Sequence, residues 1–173
     1  MDGNHFWAHN CHLQSNFLIF DGCEKVREDA ADEAASFAGT GIGLTTALRG
    51  TPVRLTNGEC PIPKDLLGPN FPRYELVDAV YGENTLSEEN AEIFKEASRT
   101  FALTATSYLM EARERQNQVP KNARTALLPV IPSLQYLSRL EKANFDTLDT
   151  SLVEPNRFRL LFGLGRTWLT GIF

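Results

Sequence analysis

Basic charge is scarce in this chain. Seventeen Lys and Arg stand against 22 Asp and Glu, a net charge of −5, which excludes a general nucleic-acid binder, since such a protein needs a basic surface to neutralise phosphates. Cysteine is scarcer still. Cys11, Cys23 and Cys60 are too few and too scattered for a disulfide framework, so a reducing compartment is the simpler expectation. No apolar run approaches the ~20 residues that a membrane-spanning helix needs. The first 23 residues contain no Lys or Arg, so they lack both the basic start of a secretory signal and the Arg-rich character of a mitochondrial transit peptide. Sustained period-two alternation, internal repeats and low-complexity tracts are also missing. What remains is an ordinary globular composition, 42% hydrophobic and 23% charged over 173 residues. One domain of that size buries roughly two-thirds of its unfolded surface without help from disulfides or metals.

The apolar spacing predicts helices throughout, and an all-α fold. Residues 28–49, EDAADEAASFAGTGIGLTTALR, start acidic and end on Arg49, the charge order that suits a helix dipole. Gly39, Gly41 and Gly43 inside that helix each cost roughly 1 kcal/mol against alanine, which points to tight packing against a neighbouring helix. Residues 50–72 hold five of the nine prolines and read as a loop, with a turn at Asn57-Gly58 and no regular helix between Pro61 and Pro63. A short helix is expected over 74–80, stopped by Gly82. The strongest signal runs from 86 to 116, where Phe94, Ala97, Phe101, Ala105, Tyr108 and Ala112 form one stripe. Thr85 with Glu88 fits a capping box there, and Ser87 is a rival cap. A last stripe, Leu127, Ile131, Leu134, Leu137 and Leu140, predicts a helix over 123–143 kinked by Pro129 and Pro132.

Few residue groups suggest chemistry. His5, His9, Cys11 and His12 fit no compact zinc spacing, and nothing downstream completes a site. Because no histidine follows His12, a Ser-His-Asp arrangement is not available. Gly39-Thr40-Gly41-Ile42-Gly43 lacks the preceding strand that a dinucleotide loop requires. The carboxylates spaced four apart (Glu28 with Asp32, Asp29 with Glu33, Glu88 with Glu92, Glu92 with Glu96) lie at helix starts or opposite the apolar stripe and read as solvated faces. Asp146 and Asp149 read as caps. Residues 156–173 carry Arg157, Arg159 and Arg166 with no acidic residue, together with Phe162 and Trp168. Such a segment suits a membrane surface or a partner's groove, or a last core helix whose arginines reach out to water.

Four stretches give the chain a family resemblance. They are AADEAASFAGTGIGLTTALRGTP (30–52), CPIPKDLL (60–67), QVPKNARTALLPVIPSLQYLSRLEKANFD (118–146) and FDTLDTSL (145–152). In this order and spacing the chain resembles the C-terminal half of the squalene/phytoene synthase superfamily, over about residues 26–173, with 1–25 unplaced. Within it, the non-catalytic branch of mitochondrial complex I assembly factors is most similar. The resemblance implies an isoprenoid-synthase-like helical fold. Active members use two aspartate-rich motifs to hold magnesium against a substrate diphosphate, because magnesium wants oxygen ligands and a departing pyrophosphate needs its charge neutralised.

The second of those motifs runs roughly L-T-N-I-L-R-D-x-x-x-D in the catalytic families, and this chain reads LTTALRGTPVR in its place. Thr46 replaces the asparagine, Gly50 and Arg54 replace the aspartates, and Arg49 is kept. The first motif belongs to an N-terminal half absent from this sequence, as would be the transit peptide. What the resemblance therefore implies is a cofactor-free, non-catalytic protein at the matrix face of the mitochondrial inner membrane, binding complex I assembly intermediates. Its rivals are a diverged prenyltransferase and a half-domain that self-associates through an exposed cavity lining.

Overall fold

The computed structural model describes residues 25–82, 86–120, 123–152, 161 and 165, and every regular element among them is helical. Six α-helices follow one another: α1 (Lys25–Arg49), α2 (Thr51–Thr56), α3 (Lys64–Leu67), α4 (Arg73–Tyr81), α5 (Glu88–Glu114) and α6 (Val130–Lys142). Short 3-10 turns lie at Arg115–Asn117, Arg124–Leu127 and Thr150–Leu152.

α5 is the beam on which the rest is laid. It starts at Ser87, whose hydroxyl accepts from the Asn90 amide at 3.3 Å, so Ser87 rather than a capping box supplies the cap. Thr85 lies outside the described residues. Of the expected stripe, Phe94, Ala97, Ala105 and Ala112 are buried and Phe101 and Tyr108 half-buried, with Ser98, Ala102 and Leu109 widening the buried face. Two cores divide its length. Towards the C-terminal end, α1 and α6 pack on it through Ala34, Ala38, Leu48, Leu109, Leu137 and Leu140. Towards the N-terminal end, Phe94 and Ala97 meet Leu55, Ile62, Leu67 and Leu76 from the segment between α1 and α5.

That segment is more regular than its prolines suggest. Pro52 falls in the first turn of α2, where the missing N–H has no intrahelical partner to lose and the fixed φ suits a helix. The expected turn does form, with Gly58 at φ +74°. Cys60 to Pro63 stays non-helical, and α4 ends on Gly82 in the left-handed conformation. The single kinked helix expected over 123–143 is instead broken into the 3-10 turn Arg124–Leu127 and α6, with Pro129 as the residue before α6. Pro132 falls in α6's first turn, where proline costs no hydrogen bond. α6 ends with the Phe145 amide donating to the Leu140 carbonyl at 2.8 Å, and Asn144 and Phe145 both at positive φ, a left-handed cap built without glycine.

The glycines of α1 do not all serve one purpose. A Cβ on Gly41 would lie 2.6 Å from Leu109 Cγ and 3.1 Å from the Ala105 carbonyl oxygen, whereas a Cβ on Gly39 or Gly43 would meet nothing within 4 Å. Close packing thus explains Gly41 alone, which corrects the expectation for all three. Arg115 fastens the same pair of helices from their far end. It binds Glu111, lies 3.5 Å from Glu33 and sits 4.6 Å from the centre of the Phe37 ring. Of the acidic faces read from the sequence, Asp32, Glu33, Glu88, Glu92 and Glu96 are exposed, with Glu92 paired to Lys95 and Glu96 to Arg99.

Paired substitutions test the approach of α1 to α5. Gly43→Ala is expected to raise stability by about 1 kcal/mol through helix propensity. Gly41→Ala is expected to lower it, because overpacking of roughly 1–3 kcal/mol outweighs the same gain. Urea unfolding of both variants gives the comparison, and equal stabilisation by both would refute the close contact.

Candidate functional site at the junction of α1 and α2

The site is built where the chain leaves one core for the other. Leu48, on the last turn of α1, belongs to the first core, and Leu55, on α2, belongs to the second. Between them Gly50 keeps near-helical dihedrals (φ −82°, ψ −3°). Its amide donates to the Thr46 carbonyl and its carbonyl accepts from the Arg54 amide, both at 2.9 Å. The buried Thr51 hydroxyl donates to the Ala47 carbonyl at 3.2 Å. The backbone therefore passes almost unbroken from α1 into α2, and residues 46, 50 and 54 follow one another at one-turn spacing along it.

Thr46 and Arg49 are exposed, and Gly50 and Arg54 half-buried. A Cβ on Gly50 would lie 3.7 Å from Arg54 Nε, so the Arg54 side chain covers the place where a side chain at 50 would begin. Magnesium needs near-octahedral oxygen ligands, usually one or two of them carboxylates. Here one position offers no side chain and the other a guanidinium. A doubly charged ion about 8 Å from a single positive charge meets roughly 4 kcal/mol of repulsion at an effective dielectric near 20. No three His, Cys, Asp or Glu residues among the described residues group to hold a metal. The residues at this junction do not fit the magnesium that the synthase resemblance implies.

α6 adds two residues that sequence reasoning missed. Tyr136 is 8% exposed, and burial pushes its hydroxyl up to about 12 while Arg49 and Arg139 pull it the other way. A guanidinium from the last turn of α1 and another from α6 thus act on one phenol. Arg139, one turn beyond Tyr136, also donates to the Ser151 carbonyl. Tyr136 and Arg139 lie nearly ninety residues after Arg49, and no motif links them. Only the packing of α6 on α1 brings them into range.

Other candidates take structural roles or fall outside the described residues. Asp146 accepts from the Leu148 amide at 2.9 Å and Asp149 from the Ser151 amide at 2.7 Å, so both cap turns. Burial pushes the Cys60 thiol up, opposed by the Ile62 carbonyl contact and by Arg73, which keeps it from being a ready nucleophile. His5, His9, Cys11 and His12 lie outside the described residues, as do Arg157, Arg159, Phe162, Arg166 and Trp168 of the tail. Leu161 is exposed. No described helix is long and apolar enough to cross a membrane.

The family model described as squalene/phytoene synthase matches residues 18–159. Among curated proteins, the rat protein named NADH dehydrogenase (ubiquinone) complex I, assembly factor 6 is 27% identical over 131 residues, covering 76% of this chain and 37% of that protein. The human protein of the same name is 24% identical over 143 residues, covering 83% of this chain and 40% of its own length. The chain thus spans about two-fifths of the length of the curated relatives it matches. No solved structure matches it. With the family model covering most of the sequence and an all-helical architecture to go with it, the chain belongs to the squalene/phytoene synthase family.

Proposed function

We propose that this chain acts in the assembly of mitochondrial respiratory complex I as a non-catalytic member of the synthase family. In this reading it binds assembly intermediates at the matrix face of the inner membrane and turns over no prenyl diphosphate. The observation that carries the loss of catalysis is Arg54 Nε at 3.7 Å from the Cβ position of Gly50. A positive side chain occupies the ground where an active synthase needs carboxylates, and Gly50 supplies no ligand. The names of the rat and human relatives support the assembly role. The tail supports a peripheral membrane contact, since Arg157, Arg159 and Arg166 are interleaved with Phe162 and Trp168 and accompanied by no acidic residue. Basic and aromatic residues mixed in this way favour an anionic, partly apolar surface.

A diverged prenyltransferase is the reading that the family description itself favours, and the two separate cleanly. Loss of the gene is expected to deplete complex I on a native gel and leave other respiratory complexes at their normal level. Normal complex I, together with magnesium-dependent turnover of a prenyl diphosphate by the full chain, would establish the enzyme instead. For the tail, replacing Arg157, Arg159 and Arg166 by glutamate is expected to weaken binding to anionic liposomes by about 1 kcal/mol per residue. Binding equal to the parent's in a flotation assay would remove the tail from the membrane surface.

A further inference from the structure

The segment that crosses from α1 to α5 is held differently from the long helices on either side of it. α2, α3 and α4 span six, four and nine residues, too short to persist as helices without a surface to pack on. That surface is small. Among the described residues six buried side chains make the second core and sixteen the first, so the second gives way more readily. Within the segment α2 and α4 are tied to each other, since the Tyr81 hydroxyl donates to the Thr56 carbonyl at 2.9 Å. Asn90 latches the segment to α5, its side-chain amide donating to Glu75 at 2.7 Å. Glycines stand at both ends, Gly50 before α2 and Gly82 after α4, the residue type that most freely absorbs a change of backbone direction.

The line along which the two cores adjoin is also poorly satisfied. Ser98 and Thr147 are 0% and 3% exposed, and neither hydroxyl oxygen has a hydrogen-bond partner, which a buried polar group normally has. On α5, Ser98 follows Ala97 of the second core and precedes Ala102 of the first. Thr147 stands between Phe145, packed on the first core, and Leu148, packed on the second. Water would satisfy both hydroxyls, so each makes the closed arrangement less favourable than its apolar contacts alone would.

We propose that residues 51–82 form a strap that lifts off α5 as one unit, hinged at Gly50 and Gly82, while α1, α5 and α6 stay packed. Opening breaks the Glu75–Asn90 latch, wets the Ser98 hydroxyl and uncovers an apolar strip that includes Phe94 and Ala97. The device does not rest on the assembly role, and neither stands or falls with the other.

Native-state hydrogen exchange on the full chain is the test, followed amide by amide by NMR at urea concentrations below the unfolding midpoint. Leu55, Gly68 and Val80 report on α2, α3 and α4, and Leu109 and Leu140 report on the first core. The three strap amides are expected to share one opening with one urea dependence, and to exchange at least about tenfold faster than Leu109 and Leu140. Val130→Ala trims a side chain of the first core. It is expected to speed Leu109 and Leu140 about tenfold and leave the strap amides unchanged, because that core stays folded in the open form. Ser98→Ala is expected to slow the strap amides about tenfold, the scale of one unpaired buried polar group. The proposal is overturned by Val130→Ala speeding both sets alike, which means a single global unfolding. Strap amides with unrelated urea dependences, or strap exchange indifferent to Ser98→Ala, would overturn it as well.

Discussion

The approach of α1 to α5 at Gly41 is the constraint on which the rest of the structure hangs. Leu109 is fully buried against that glycine, and even one methyl group there would force the helices apart. Because they meet so closely, α1 runs along α5 and delivers its last turn to the seam between the two cores. The chain crosses that seam at Gly50. A helix pair spaced wider would leave Leu48 short of its core.

What sits at the seam is decided by charge. Gly50 offers the backbone a smooth passage into α2, and Arg54 lies over it, so the junction is positive. Arg49 and Arg139 add positive charge that is felt by the Tyr136 phenol of α6. On the alignment that the family resemblance implies, active synthases carry carboxylates, and so the opposite sign, at this turn. The change does not cost the fold, since the backbone hydrogen bonds through Gly50 are intact and both cores are filled with ordinary aliphatic side chains. A scaffold with intact helices and a positive turn at this place agrees with the non-catalytic assembly role proposed for it.

Much of this was legible in the sequence, and what was not has a physical reason. The end of α1 at Arg49, the stop at Gly82 and the buried stripe of α5 follow from local signals: a dipole-matched charge, a left-handed glycine and a helical period. α2 was hidden because Pro52 reads as a breaker until its place in a first turn is known. The division of 123–143 was hidden for a related reason, since Pro129 and Pro132 leave a kink and a break equally open. Gly39, Gly41 and Gly43 look alike in the sequence, and only the direction of α5 tells which one is crowded. Thr46, Arg49, Gly50 and Arg54 could be picked out because they are close in sequence and stand where the family resemblance sets its second motif. Tyr136 and Arg139 could not, because a leucine stripe surrounds them and the charge of Arg49 that reaches the phenol comes from another helix.

The reversal of charge at Gly50 and Arg54 is tested most directly by manganese(II), a paramagnetic stand-in for magnesium, followed by electron paramagnetic resonance during titration of the full chain. Gly50 and Arg54 should leave the free-ion signal equal to that in buffer at every protein concentration. A saturable loss of that signal, in simple ratio to the chain and reversed by magnesium, would mean that the junction still gathers metal ions and that the family's chemistry survives here.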